Sequence, residues 1–156
     1  MNQKVKMKPS YLKIAFLDRD GTLIKDYPDE KWREIKEPEF LEGSIEGLKR
    51  LKEMGYDFII ITNQYLINDG IISLNDYQQF TGKFLKKLKE ENIDILKIYF
   101  CPHNEKDHCH CKKPKPGMIE QAKKDFLIDM NNSIYIGDSQ VDYLLAKHFT
   151  LTFYGI

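Results

Sequence analysis

Five short apolar runs, each separated from the next by an amphipathic stretch, constrain this chain more than any other feature. They are Leu12–Leu17, Tyr56–Ile61, Leu96–Phe100, Ser133–Ile136 and Thr150–Tyr154. Most are nearly continuous rather than alternating, as expected of strands covered on both faces of a parallel sheet. Four helical stretches lie between them. The first runs from Ser44 to about Met54, with Ile45, Leu48 and Leu51 on one face and Gly55 as a stop. The second follows Ser73, an N-cap with Asp76 three residues on, and its apolar face carries Tyr77, Phe84, Leu85 and Leu88. The third starts near Pro116 and ends about Phe126; the last follows Ser139 and carries Val141, Leu144 and Leu145. Strict alternation of strand and helix predicts an α/β fold, a three-layer sandwich around a five-stranded parallel sheet. Ligands of such folds bind at the carboxyl ends of the strands, so chemistry is expected directly after the apolar runs.

The chain has 156 residues, a length suited to one domain spanning 1–156. Its 24 basic and 24 acidic residues cancel, so neither nucleic acid nor an anionic membrane is an expected partner. The longest pure apolar run, Phe58 to Ile61, is far shorter than the roughly 20 residues of a membrane helix. Met1 to Tyr11 is polar and lysine-rich, without the apolar segment of a secretory signal, which predicts a cytoplasmic protein. A monomer is the expected state. Two longer connections, Asp20–Gly43 and Pro102–Lys115, are candidate active-site loops.

The first run ends in Asp18-Arg19-Asp20-Gly21-Thr22. Two acids flanking one residue converge on a small space, and Gly21 lets the chain turn sharply. Taken alone this is also the composition of a solvated turn. The fourth run, however, ends in Gly137-Asp138-Ser139 with Asp142 four residues on, so a second strand end brings a third carboxylate. Converging anions call for a cation, and oxygen ligands point to magnesium. The second run ends in Thr62-Asn63-Gln64, neutral donors suited to phosphate oxygens, and Lys113 after the third run offers positive charge.

Three cysteines crowd one stretch. Cys101-Pro102-His103 and Cys109-His110-Cys111 form a Cys-x-His and Cys-x-Cys pair five residues apart. Three thiolates and one imidazole match a closed zinc site, with no position left for water, hence structural rather than catalytic. His108 and His110 flank the last cysteines and are possible substitutes for His103, which completes the regular pattern. His148, near the end of the last helix, reads as structural or as a favourable C-terminal charge.

Taken together, FLDRDGT, TNQ, CKKPKPGM and IGDSQVD, in order over residues 16–142, resemble the four motifs of the haloacid dehalogenase superfamily of phosphatases. The resemblance implies a Rossmann-like core, with Asp18 as nucleophile and Asp20 as acid and base. Thr62 would contact the transferring phosphoryl, and Lys113 would neutralise it and hold Asp18. Magnesium would be held by Asp18, the Asp20 carbonyl and Asp138, with Asp142 behind them and paired to Lys113. Asn63 and Lys112 would contact substrate.

The zinc loop followed by KPKPGM is similar to the histidinol-phosphatase and D-glycero-D-manno-heptose 1,7-bisphosphate phosphatase branch. KPKPGM favours the heptose enzymes. The spacer between the zinc pairs and the long loop after DGTLI are similar to histidinol phosphatases. The implied substrate is a small phosphorylated metabolite, heptose bisphosphate first and histidinol phosphate as the alternative. A polynucleotide 3′-phosphatase and a non-catalytic zinc module are the more distant readings. Lys112 stands where the family usually has Arg, and Tyr65-Leu66-Ile67-Asn68-Asp69-Gly70 departs from the Ser-Gly-Ile-Ala-Arg-Gly of heptose enzymes. Neither loop has room for a large cap. Tyr27 and Trp32 either touch the organic part of the substrate or pack their loop on the body.

Overall fold

The computed structural model describes residues 10–156; residues 1–9, which hold most of the lysine-rich start, lie outside the described residues. The strands are β1 (Ile14–Leu17), β2 (Asp57–Asn63), β3 (Lys97–Cys101), β4 (Ile134–Gly137) and β5 (Thr152–Gly155). The helices between them are α1 (Ser44–Glu53), α2 (Leu74–Glu90), α3 (Gly117–Asp125) and α4 (Gln140–His148). All strand pairs are parallel, in the order β3-β2-β1-β4-β5. The order reverses between β1 and β4, which places the switch point between the strands that carry Asp18 and Asp138.

The pleat divides the core in two. Ile14, Phe16, Ile59, Ile61 and Tyr135 meet Met118, Ile119 and Ala122 of α3 and Leu145 and Ala146 of α4. Ala15, Leu17, Phe58, Ile60 and Ile134 meet Leu48 of α1 and Phe80, Phe84 and Leu88 of α2. Covered faces on both sides explain the continuous apolar runs of β1 and β2. Among the described residues no helix is long and apolar enough to cross a membrane.

Several boundaries differ from the sequence reading. β2 runs on through Thr62 and Asn63, because both pair in register with β3. Leu12 forms only a bridge to Ile128, outside β1. β5 starts at Thr152, since Thr150 takes a positive φ of 56° in the turn leaving α4. Pro116 caps α3 rather than opening it. Leu85, expected in the core, is exposed; Phe80 takes its place on the buried face of α2. On α4 the buried residues are Asp142, Leu145 and Ala146, while Leu144 faces outward. The Ser73–Asp76 capping box of α2 forms as expected.

The 21–43 loop is held as a small antiparallel ribbon by the Ile24–Phe40 bridge, with Phe40 stacked on Phe84 at 5.5 Å. Phe84 is fully buried and serves both the core and this loop. Phe84→Ala is expected to cost about 3–5 kcal/mol. Denaturant unfolding measures this: a loss below about 1 kcal/mol would mean that the site collapses around the deletion.

Candidate active site

Lys113 lies at the centre of the strand ends. Its ammonium donates to Asp18 Oδ1 at 2.9 Å, to Asp142 Oδ1 at 2.7 Å and to the Ile61 carbonyl at 2.8 Å. All three N–H groups are thereby used, and the three acceptors come from β1, β2 and α4. Burial works against the Lys113 charge, but Asp18 and Asp142 outweigh it and raise its pKa. Asp142 is buried as well, with Tyr135 OH at 2.7 Å from Oδ1 and Ser139 Oγ at 2.8 Å from Oδ2. Thr22 Oγ1 donates to Asp18 Oδ2 at 2.9 Å. Burial is the largest influence on Asp18 and pushes its carboxyl up; Lys113 opposes the rise, and Asp142 and Asp138 add to it.

Arg19, read above only as part of a motif, is the largest fully buried side chain. Its Nε and Nη2 grip the two oxygens of Asp20 at 2.7 and 3.0 Å, and its guanidinium lies over Phe80 at 5.0 Å and Tyr77 at 5.6 Å. Burial works against this charge too, and Asp20 more than offsets it. The two amides after Thr62 hold protein groups. Asn63 accepts from the Lys113 N–H at 2.8 Å and donates to its carbonyl at 3.3 Å, clamping that peptide. Gln64 Nε2 reaches Asp20 Oδ2 and Thr62 Oγ1. A lone Arg in a turn reads as solvated in sequence, and amides beside a strand end read as phosphate donors, so neither role was legible.

A cleft of about 700 Å³ opens above these groups, lined by Asp18, Asp20, Thr62, Asn63, Lys113 and Asp138 and walled by Asp26, Asp29, Trp32 and Tyr65. One cross-loop hydrogen bond joins two of its wall residues, Tyr65 OH to Asp29 Oδ1 at 2.9 Å; away from the cleft lining, Arg33 Nε donates to the Ile71 carbonyl at 3.1 Å. Of the two roles considered for Trp32, the structure shows the packing of its loop on the body. It packs edge-on against Tyr27 and Phe80 and also faces the cleft. Tyr27 lies behind it. Lys112 stands outside the cleft lining, paired with Glu105 at 2.7 Å and over the Tyr65 ring at 5.1 Å.

Cys101, His103, Cys109 and Cys111 bring one ligand atom each within 4.8 Å of one another. Contacts of 2.8 to 3.7 Å along the cluster compare with a sulfur–sulfur edge of about 3.8 Å around a tetrahedral zinc. All three cysteines are free, so the donor set fits a thiophilic ion. His110 turns outward to Glu120 at 3.0 Å, and His108 sits at the left-handed end of the short 3₁₀ turn between the ligand pairs. His148 stacks edge-on against Phe149 in the last turn of α4.

A second cluster, Asp18, Asp138 and Asp142, offers carboxylate oxygens. Asp142 is taken up by Lys113, Tyr135 and Ser139, so Asp18 and Asp138 are left to share a hard cation. The packing is tight: a Cβ on Gly21, whose φ is +87°, would sit 2.1 Å from Asp138 Oδ2.

This arrangement has relatives. The family pattern described as polynucleotide kinase 3 phosphatase matches residues 13–151. The chain belongs to this family of haloacid dehalogenase-like phosphatases, and it is a phosphatase. Within the family its curated relatives carry a narrower name. It is 42% identical to the D-glycero-alpha-D-manno-heptose-1,7-bisphosphate 7-phosphatase of Photorhabdus laumondii, over 87% of this chain and 77% of that one. It is 41% identical to the D-glycero-beta-D-manno-heptose-1,7-bisphosphate 7-phosphatase of Pasteurella multocida, over 86% and 76%. Among solved structures, the D,D-heptose 1,7-bisphosphate phosphatase of B. bronchiseptica, complexed with magnesium and phosphate, superposes with a TM-score of 0.82 at 25% identity, covering 92% of this chain and 80% of that one.

Gly21→Ala is expected to leave a folded protein that loses about 100-fold or more in aryl phosphate turnover, because the methyl displaces Asp138 and the positive φ disfavours alanine. Steady-state kinetics over a magnesium series measures it; wild-type turnover at wild-type magnesium demand would show that Asp138 needs no such fit.

Proposed function

We propose that this protein is a magnesium-dependent phosphomonoesterase acting on D-glycero-D-manno-heptose 1,7-bisphosphate or a similar sugar phosphate. The observation that carries the reading is Asp18, a buried carboxylate at the cleft floor, fixed by Lys113 on one oxygen and Thr22 on the other. So held, it is aimed rather than free, as a nucleophile must be. Asp18 attacks phosphorus and the ester bond breaks, leaving an aspartyl-phosphate. Asp20 gives a proton to the departing oxygen, then takes one from the water that hydrolyses this intermediate. Thr62 donates to a phosphoryl oxygen, and the Lys113 charge offsets that of Asp18 and the phosphoryl group. Magnesium would be held by Asp18, the Asp20 carbonyl and Asp138, and would supply the positive charge that lets anion meet anion.

The relatives' names support the heptose substrate. Asp26 and Asp29 on the cleft wall accept hydrogen bonds from hydroxyl groups, and Trp32 and Tyr65 offer apolar faces to a carbon chain. The same acids suit an ammonium, which keeps histidinol phosphate as the second reading. They repel a polynucleotide backbone, which counts against the 3′-phosphatase activity after which the family is described. Lys112 would meet the remote end of the substrate by leaving Glu105. Zinc at the cysteine cluster is structural in this reading, and the free thiols agree with a reducing cytoplasm. The chain acts as one domain, and a monomer is the proposed state.

Asp18→Asn is expected to lower turnover more than ~1,000-fold without unfolding the protein. Activity near wild type in a screen with aryl phosphate, heptose bisphosphate and histidinol phosphate would refute the nucleophile. The ranking of substrates for the unaltered enzyme separates the two metabolite readings. Elemental analysis of protein purified without added metal is expected to find about one zinc per chain. Its removal is expected to loosen Lys113 through Asn63 and Cys101 and to lower activity. Zinc-free protein with three freely titrating thiols would remove the site, and full activity after zinc loss would remove its link to Lys113.

A further inference from the structure

Gln64 is almost wholly buried at the end of β2. Its Nε2 lies 3.0 Å from Asp20 Oδ2 and 2.8 Å from Thr62 Oγ1. A primary amide nitrogen carries two hydrogens, and each here has one acceptor. The flipped amide would aim an oxygen lone pair at a carboxylate, so the network itself assigns the nitrogen to this side. Its own backbone is fixed as well, by the N–H that donates to the Cys101 carbonyl at 2.7 Å.

Two groups on different strand ends are set by this one amide. Thr62 Oγ1 receives a hydrogen bond from Gln64, so its hydroxyl proton remains available to donate into the cleft that Thr62 lines. Without that donor the hydroxyl is free to rotate and present a lone pair to an incoming phosphoryl oxygen. Asp20 is held from the other side by the Arg19 fork. The fork alone fixes the plane of the carboxylate against Arg19, and Gln64 adds the tie to the strand that carries Thr62.

We propose that Gln64 is a positioning residue that couples the acid and base, Asp20, to the phosphoryl-binding hydroxyl, Thr62. This rests on the roles given to those two residues above. Gln64 touches neither the phosphoryl group nor the leaving group and acts through both neighbours.

The test uses 4-nitrophenyl phosphate and phenyl phosphate, which share the phosphoryl group and differ in how much the departing oxygen needs a proton. Gln64→Met keeps the length and removes both donors. It is expected to lower kcat/KM for both esters, through Thr62, and to lower it about tenfold further for phenyl phosphate, through Asp20. In an Asp20→Asn background the extra tenfold should vanish while the shared loss persists. A purely structural role would lower the melting temperature and slow both esters alike. Gln64→Leu likewise removes both donors and serves if the Met variant does not fold; the same selective loss is expected of it. Equal losses for the two esters, with Asp20→Asn itself selective, would overturn the coupling and leave the proposed function standing. An extra loss that persists in the Asp20→Asn background would also overturn it. An Asp20→Asn variant that slows both esters equally would remove the acid role and this inference with it.

Discussion

The Lys113 ammonium is the group on which the site depends. It sits where β1, β2 and α4 converge and gives each of them one hydrogen bond. A buried cation is costly unless its partners are near and correctly placed, and two of its three are carboxylates. Removing either acid would leave a buried charge without its partner, so the ends of β1 and α4 are fixed relative to each other by electrostatics as well as by packing. The peptide of Lys113 is clamped in turn by Asn63, which joins the loop after β3 to the end of β2. Two strand ends, one helix and one long loop thus share a single reference point.

A second buried cation repeats the arrangement on a smaller scale. Arg19 holds Asp20 on one side of its guanidinium and lies against the rings of Phe80 and Tyr77 on the other. The aromatic residues of α2 therefore serve the carboxylate after β1 as well as the core. Gln64 closes the gap between this pair and the end of β2. The cleft floor is a continuous chain of satisfied polar groups, and no buried side-chain nitrogen or oxygen among the described residues lacks a partner.

Much of the framework is legible in the sequence. Continuous apolar runs located the strands, because residues covered on both faces must be apolar, and the carboxylates were placed because they follow those runs. The outer layer was harder to read. Leu85 and Leu144 continue a helical stripe, yet both are exposed, because periodicity does not reveal how wide a face the partner covers. Thr150 was read as the start of the fifth apolar run, but the turn after α4 claims it. Arg19 was read only as part of a motif and the two amides as donors to phosphate or substrate: Phe80 for Arg19, Lys113 for Asn63 and Asp20 for Gln64 lie far along the chain, and only the assembled strand ends bring them together.

The register of β3 against β2 has a further consequence. Cys101, the first thiol of the metal-ligating cluster, is paired with Asn63, and its carbonyl receives the Gln64 N–H. One residue thus belongs to the sheet through its backbone and to the ion site through its sulfur. Between His103 and Cys109 the chain makes its own capped turn, which hydrogen-bonds to the side chains of Asn68 and Asp69 in the cleft-side loop. The register of the sheet does not fix the length of that turn. It does fix Cys101, because a one-residue slip there would carry the sulfur to the opposite face of the sheet.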